Sequence, residues 1–291
     1  MNFREFSAAH RSAIEDCLRA QTAPVAVPSL RAAMDHLLGL GKLFRPLMAL
    51  AVARACGHAD IPALIPSVTP LELIHTFTLI HDDLPCMDDA SLRRGVPAVH
   101  IAFDEALAVL AGDALANYAY LQLASVANGL GSERRMALIA SAARATHLVV
   151  EGQVLDLEGE LRSLSLDELI NLHRCKTGAL FSTTCEFGAI LAGSPPERIS
   201  EMGELGREIG LAFQIRDDLL SLSSTDSEMG KTLATDLERN KSTFPRLLGV
   251  EGAEAHLGSL LAGIAERIRG MQLAEPDVLL DIAEAAGRRS H

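Results

Sequence analysis

Two clusters of aspartates carry most of the chemistry in this chain. The first is His81-Asp82-Asp83-Leu84-Pro85-Cys86-Met87-Asp88-Asp89, with two acids before a proline and two after it. Like charges ~4 Å apart repel by about 4 kcal/mol at an effective dielectric near 20, so such a group needs a cation or full solvation. Carboxylate oxygens suit Mg²⁺, which commonly takes one or two carboxylates and completes its shell with water and substrate phosphates. The second cluster is Gln214, Asp217 and Asp218, spaced i, i+3 and i+4 and therefore on one face of a helix. A solvated acidic surface is the alternative for either cluster alone. Basic residues elsewhere, Lys42, Arg45, Arg93, Arg94, Lys176, Lys231 and Lys241, supply what a phosphorylated ligand needs.

The elements that must position these groups read as helices. One is expected from Thr69-Pro70 to about Asp83: proline suits a first turn, and Pro85 disfavours helical geometry at Leu84. The first acidic cluster thus lies at a helix C-terminus, the end where the macrodipole prefers cations. Residues 85–97 follow as a polar loop closed by Gly95 and Pro97. All twelve prolines lie outside 98–194. Within that region Asn128-Gly129-Leu130-Gly131-Ser132 reads as a glycine stop followed by an N-cap, and Ser165-Leu-Asp-Glu168 as a capping box. Ile199, Met202, Leu205, Ile209, Phe213 and Leu220 keep the spacing of one helical face. There is no convincing strand alternation, no Gly/Ser linker and no internal repeat, which predicts one all-α domain of ten or more helices.

Composition narrows the classes. With 26 Lys+Arg against 38 Asp+Glu among 291 residues, the net charge of −12 gives no basic stripe to track a nucleic acid. Aromatics are only 4% with no Trp, and Ala and Leu dominate the apolar set, which favours helix. The cysteines (17, 56, 86, 175 and 185) are odd in number and widely spaced, so reduced thiols in a cytoplasmic protein are expected, with neither a disulfide framework nor a zinc site. The N-terminus lacks the apolar run of a signal peptide. The longest uncharged stretch, roughly 114–132, carries Asn117, Gln122 and Asn128, so a buried helix is expected there and no membrane span.

Taken in order, these motifs resemble the trans-isoprenyl diphosphate synthases, and within them the bacterial farnesyl diphosphate synthases. Asp82-Asp83-x-x-x-x-Asp88 resembles the first aspartate-rich motif, with two extra residues between the acids, and Leu92-Arg93-Arg94-Gly95 follows it. Gly41-Lys42-x-x-Arg45-Pro46 with His75 resembles the isopentenyl diphosphate segment. Gly112-Asp113, Gly152-Gln153 with Asp156, and Lys176-Thr177-Gly178 match the central motifs. Phe213-Gln214-x-x-Asp217-Asp218 resembles the second aspartate-rich motif, followed by Gly230-Lys231, Asp236 and Lys241-Ser-Thr-Phe-Pro245.

The resemblance implies an all-α helical bundle around a deep cavity, one polyprenyl synthetase domain over residues 1–291, a homodimer, and three Mg²⁺ ions when substrate is bound. Its chemistry is ionisation of an allylic diphosphate, condensation with isopentenyl diphosphate and loss of a proton. By resemblance, Asp82, Asp83, Asp88, Asp217 and Asp218 are the metal carboxylates. Arg93, Lys176 and Lys231 contact the allylic diphosphate. Gly41, Lys42, Arg45, His75 and Arg94 hold isopentenyl diphosphate. Lys176, Thr177 and Gln214 face the carbocation, and Asp236 and Lys241 order the closing C-terminal segment. Phe77, five residues before Asp82 and ~7.5 Å down a helix, implies a fifteen-carbon product, with geranylgeranyl diphosphate as the alternative.

Four places depart from the pattern: Ser221 where a third aspartate is expected, Ala90-Ser91 in place of two acids, Leu40 and Leu43 around Lys42, and Ala234 before Asp236. Ser221 is expected to weaken metal binding. It also admits a class I terpene cyclase, whose second motif begins like Asp217-Asp218-x-x-Ser221, although Thr225 stands where that motif needs Glu. A cyclase has no use for Lys42, Arg45, His75 and Arg94. A non-catalytic partner subunit is a further alternative, opposed by the intact first motif.

Overall fold

A computed structural model of the protein describes residues 2–125, 130–222 and 241–288. Its described residues form thirteen α-helices: α1 (Phe3–Thr22), α2 (Pro28–Asp35), α3 (Phe44–Ala55), α4 (Ile65–Val68), α5 (Pro70–Asp82), α6 (Val99–Ala102), α7 (Glu105–Ala124), α8 (Ser132–Glu160), α9 (Leu166–His173), α10 (Ala179–Ala192), α11 (Pro196–Ser221), α12 (Phe244–Gly270) and α13 (Asp277–Arg288). Helix α10 is the axis of the bundle: Phe181, Phe187, Cys185 and Leu191 are completely covered, and α3, α8 and α11 pack around it. With few aromatics to fill space, Phe44, Phe181 and Phe213 gather into one ring cluster, with centroids 5.2–6.4 Å apart, between α3, α10 and α11.

Local signals placed some helix ends correctly and missed others. Ser165 accepts from the Glu168 amide while the Glu168 side chain accepts from the Ser165 amide, the reciprocal pair of a capping box. Helix α5 ends at Asp82, as Pro85 requires. Thr69 departs from expectation: it is itself helical, and its hydroxyl donates to the Pro66 carbonyl at 3.2 Å, because α4 runs straight into α5 and leaves no free amide to cap. Ser132 is the first residue of α8 and Gly131 takes the cap position; residues 126–129 lie outside the described part.

The uncharged stretch near 114–132 is not one helix, since α7 stops at Ala124. The segment long and apolar enough to cross a membrane by length and composition is instead Pro62–Asp82, and 72% of its most apolar window is buried within the bundle. The loop after α5 holds a feature that periodicity cannot reveal. Strand β1 (Leu92–Arg93) pairs antiparallel with β2 (Val96–Pro97), too short a hairpin to show alternation. The five cysteines are all unpaired.

Candidate active site

The first acidic cluster is built by the way the chain leaves α5. Pro85 stops the helix, and the following residues turn back on it. The amides of Met87 and Asp89 donate to the Leu84 carbonyl at 2.8 and 3.0 Å, and the Asp88 amide donates to the Asp82 carbonyl at 2.7 Å. Asp89 takes a left-handed φ of 49° to close this loop. The two extra residues between the acids are therefore absorbed in a tight turn that carries Asp88 back over the helix end.

The carboxylates so gathered have different partners. Asp83 is fully buried, and Arg93 grips it with Nε at 2.9 and 3.1 Å from its two oxygens while Nη2 also donates to it. Burial nonetheless keeps the Asp83 carboxyl above its ordinary value. Among the described residues no ion pair reaches the side chain of Asp82, and burial pushes it up to about 6. Burial acts on Asp88 in the same direction, but Lys241 and Lys176 outweigh it and hold that carboxyl below the usual range.

Facing this cluster is a single π-helical turn, Arg174–Gly178, inserted between α9 and α10. Such turns are rare and recur at functional sites. Its seat is Gly152 on α8: a Cβ there would stand 2.3 Å from the Lys176 amide nitrogen, so only glycine lets the two backbones meet. The approach places the Lys176 ammonium 2.6 Å from Asp156. Lys241 reaches the same Asp156 oxygen at 3.2 Å, Asp88 at 3.1 Å and Glu160 at 3.7 Å. Between two ammonium groups, and against the effect of burial, Asp156 is driven down to about 2.

The second cluster connects through the same turn. The Thr177 hydroxyl donates to Gln214 Oε1 at 3.1 Å, and Gln214 Nε2 donates to Asp218 Oδ1 at 3.0 Å. The other Asp218 oxygen accepts the Phe244 amide at 3.0 Å, so this buried carboxylate ties α11 to the start of α12. Ser221, the residue in place of the expected aspartate, donates to the Asp218 carbonyl at 2.8 Å and is folded back on its own helix. Asp217, on the same face, remains half-buried.

The basic residues divide. Lys42 is exposed on the turn that enters α3, and Arg45, one turn on, lies over the Phe181 ring at 5.1 Å. His75 is half-buried on α5. Arg94, expected to face a diphosphate, donates to Glu72 at 2.9 Å and to the Leu37 carbonyl at 2.8 Å. Phe77 is almost wholly buried on α5 below the acids, its ring edge-on to His81. Lys231 and Asp236 lie outside the described residues.

Sequence reading gave no role to Glu160 or Glu72. The first could have been found as the i+4 neighbour of Asp156 on one helix face. The second could have been found as a lone acid inside the apolar run from Leu71 to Ile74.

The oxygen donors fit a hard divalent cation. Asp82 is half-buried, has a raised carboxyl, and makes no ion pair among the described residues, so it can still take a cation. No group of three acidic, histidine or cysteine side chains is pre-arranged for a metal among the described residues. The remaining coordination has to come from water and phosphate, as is usual for Mg²⁺.

Comparison with known proteins decides the family. The polyprenyl synthetase family matches residues 27–271. This chain belongs to the polyprenyl synthetase family. Its similarity to the farnesyl diphosphate synthase of Bacillus subtilis is 39% identity, covering 98% of each chain. A crystal structure described as a putative farnesyl-diphosphate synthase from a Marinomonas species superposes with a TM-score of 0.84 at 33% identity, over 99% of this chain and all of the other. The geranyltransferase of Helicobacter pylori, solved with magnesium and isoprenyl diphosphate, gives 0.82 at 28% identity over 96% of both chains. The family's all-α isoprenoid-synthase fold is thus the fold of this chain.

Proposed function

We propose that this protein is a trans-prenyltransferase that condenses isopentenyl diphosphate with dimethylallyl and then geranyl diphosphate to give farnesyl diphosphate. The observation that carries the reading is the meeting of Asp82, Asp83 and Asp88 with Lys176 and Lys241 at one end of the bundle, in a chain similar throughout its length to a farnesyl diphosphate synthase.

Asp82, Asp83, Asp88 and Asp217 would hold Mg²⁺, three ions when substrate is bound. Asp218 supports them by fixing Gln214 and the start of α12. When bound, the ions supply the positive charge that makes the diphosphate a good leaving group. Lys176, Lys231, Lys241 and Arg93 neutralise the departing diphosphate from the protein side. Thr177 and Gln214, joined by a hydrogen bond, present oxygens to the allylic cation. Lys42, Arg45, His75 and Arg94, with Gly41, receive isopentenyl diphosphate, whose double bond attacks that cation. Apolar walls exclude the water that would quench it. Phe77 closes the cavity under the first cluster and stops growth at fifteen carbons.

The chain acts as a cytoplasmic homodimer on this reading. An apolar face on the adjacent helices α7 and α8, carrying Leu110, Leu121, Met136, Val150 and Val154, is half or more exposed, and on this reading a second copy of the chain covers it. Leu121→Glu is expected to give monomers in sedimentation analysis; an unchanged dimer would place the contact elsewhere.

The deciding experiment offers purified protein, Mg²⁺ and isopentenyl diphosphate with five-, ten- or fifteen-carbon allylic diphosphates separately. Extension that stops at fifteen carbons supports the reading. Growth to twenty carbons makes the protein a geranylgeranyl diphosphate synthase. No condensation with any primer overturns the assignment in favour of a cyclase or a partner subunit.

A further inference from the structure

The hairpin Leu92–Pro97 turns on Arg94 (φ 54°) and Gly95 (φ 78°), both left-handed, as a two-residue connection requires. That conformation is disfavoured for arginine, yet here it sends two consecutive arginines to two different acids on either end of α5. Arg93 goes to Asp83. Arg94 goes to Glu72, which is 1% exposed between the fully covered Leu71 and Leu73. A carboxylate in such surroundings needs a counter-charge with satisfied hydrogen bonds, and Arg94 supplies one at 2.9 Å.

The same guanidinium also controls the turn before α3. Its Nη1 donates to the Leu37 carbonyl at 2.8 Å. It lies so close on Gly41 that a Cβ there would stand 2.7 Å from Arg94 Cζ. From the other side Arg11 donates to the Gly41 carbonyl at 2.9 Å. The turn carrying Lys42 is thus clasped by two arginines, and Glu72 fixes one of them.

We propose that Glu72 is a positioning residue of the isopentenyl diphosphate site: it aims Arg94, and through Arg94 it sets the Gly41–Lys42 turn. The proposal rests on the reading above that Lys42, Arg45 and Arg94 receive the non-allylic diphosphate. Glu72 itself touches no substrate. The allylic side is anchored independently, on Asp83 and Asp156.

The test is steady-state kinetics of Glu72→Gln and Gly41→Ala, varying each substrate in turn, with isopentenyl diphosphate binding measured directly by calorimetry. Glu72→Gln removes the charge that aims Arg94; Gly41→Ala pushes the guanidinium away and leaves Glu72 in place. Both are expected to raise KM and Kd for isopentenyl diphosphate about tenfold, equivalent to ~1.4 kcal/mol, with the allylic KM within about twofold of its starting value. Unchanged isopentenyl diphosphate binding in Glu72→Gln, or an equal rise for both substrates, overturns the proposal whatever Gly41→Ala does. Should Glu72→Gln fail to fold, Glu72→Asp, which keeps the charge but shortens its reach to Arg94, decides by the same measurements. Failure of the unaltered protein to condense the two substrates overturns the proposed function instead, and is seen before either variant is made.

Discussion

The Lys241 ammonium lies 3.1 Å from Asp88 Oδ1, joining the C-terminal third of the chain to the loop that follows α5. The two residues are 153 apart in sequence. Lys241 also holds Asp156 and Glu160 on α8, so a cation arriving at Asp88 meets an ammonium already there, with two other carboxylates ready to keep it. The first cluster is part-neutralised by direct ion pairs at Asp88 and Asp83, whereas Asp82 has Lys176 and Arg93 in its surroundings, makes no ion pair among the described residues, and is raised by burial.

That imbalance predicts an acid limit for metal binding. Asp82 is raised from 3.8 to about 6 in the folded protein. The folded state therefore holds a proton that the unfolded chain has lost between about pH 4 and 6, and stability falls as pH rises through that window, by about 3 kcal/mol at ~1.4 kcal/mol per unit. Asp156 has the opposite sign: its stabilisation is present above about pH 4 and is lost as pH falls through about 2. Mg²⁺ is expected to raise the melting temperature above about pH 6 and to lose that effect below it, because the proton competes at Asp82. Asp82→Asn should melt higher than the parent without metal at neutral pH and gain nothing from Mg²⁺. A metal-induced shift independent of pH would disprove this account.

Ser221 is expected to limit the affinity for metal at the second cluster. Its hydroxyl is committed to the Asp218 carbonyl one turn beyond Asp217. An aspartate has no proton for that carbonyl and would turn toward the face that carries Asp217. Ser221→Asp should tighten Mn²⁺ binding severalfold in the presence of inorganic pyrophosphate, read by calorimetry, and lower the Mg²⁺ needed for half-maximal activity. Equal Mn²⁺ affinity in the two proteins would show that the serine carries no penalty.

Phe77 is expected to set product length. The ring is 8% exposed, so Phe77→Ala removes a covered aromatic and should cost roughly 3 kcal/mol of stability. The folded fraction should shift its products from fifteen to twenty carbons, read by chromatography of the dephosphorylated alcohols. An unchanged product distribution in a folded variant would assign the cavity floor to another residue.

The sequence alone determined the helices and the chemical inventory. The Ser165 capping box and the stop imposed by Pro85 act within four residues, so their outcome is readable wherever they stand. The aspartate, lysine and glycine motifs were legible as residue types in order, and the family followed from them. Thr69 shows the limit even of local signals: a competent cap was left uncapping because another helix preceded it directly.

Only the tertiary structure decided which charges meet. Nothing in the spacing says that Arg94 belongs to Glu72, that Lys241 rests on Asp88, or that Asp218 ties the Phe244 amide. These partners are 22, 153 and 26 residues apart. Their encounter depends on the hairpin folding against α5 and on the segment that starts α12 reaching both the loop after α5 and α11, and a long-range ion pair leaves no periodic trace in either partner's neighbourhood. Glycine at 152 and 41 was visible as a motif, but its reason was not. Each gives way to an atom of a distant residue, the Lys176 amide in one case and the Arg94 guanidinium in the other.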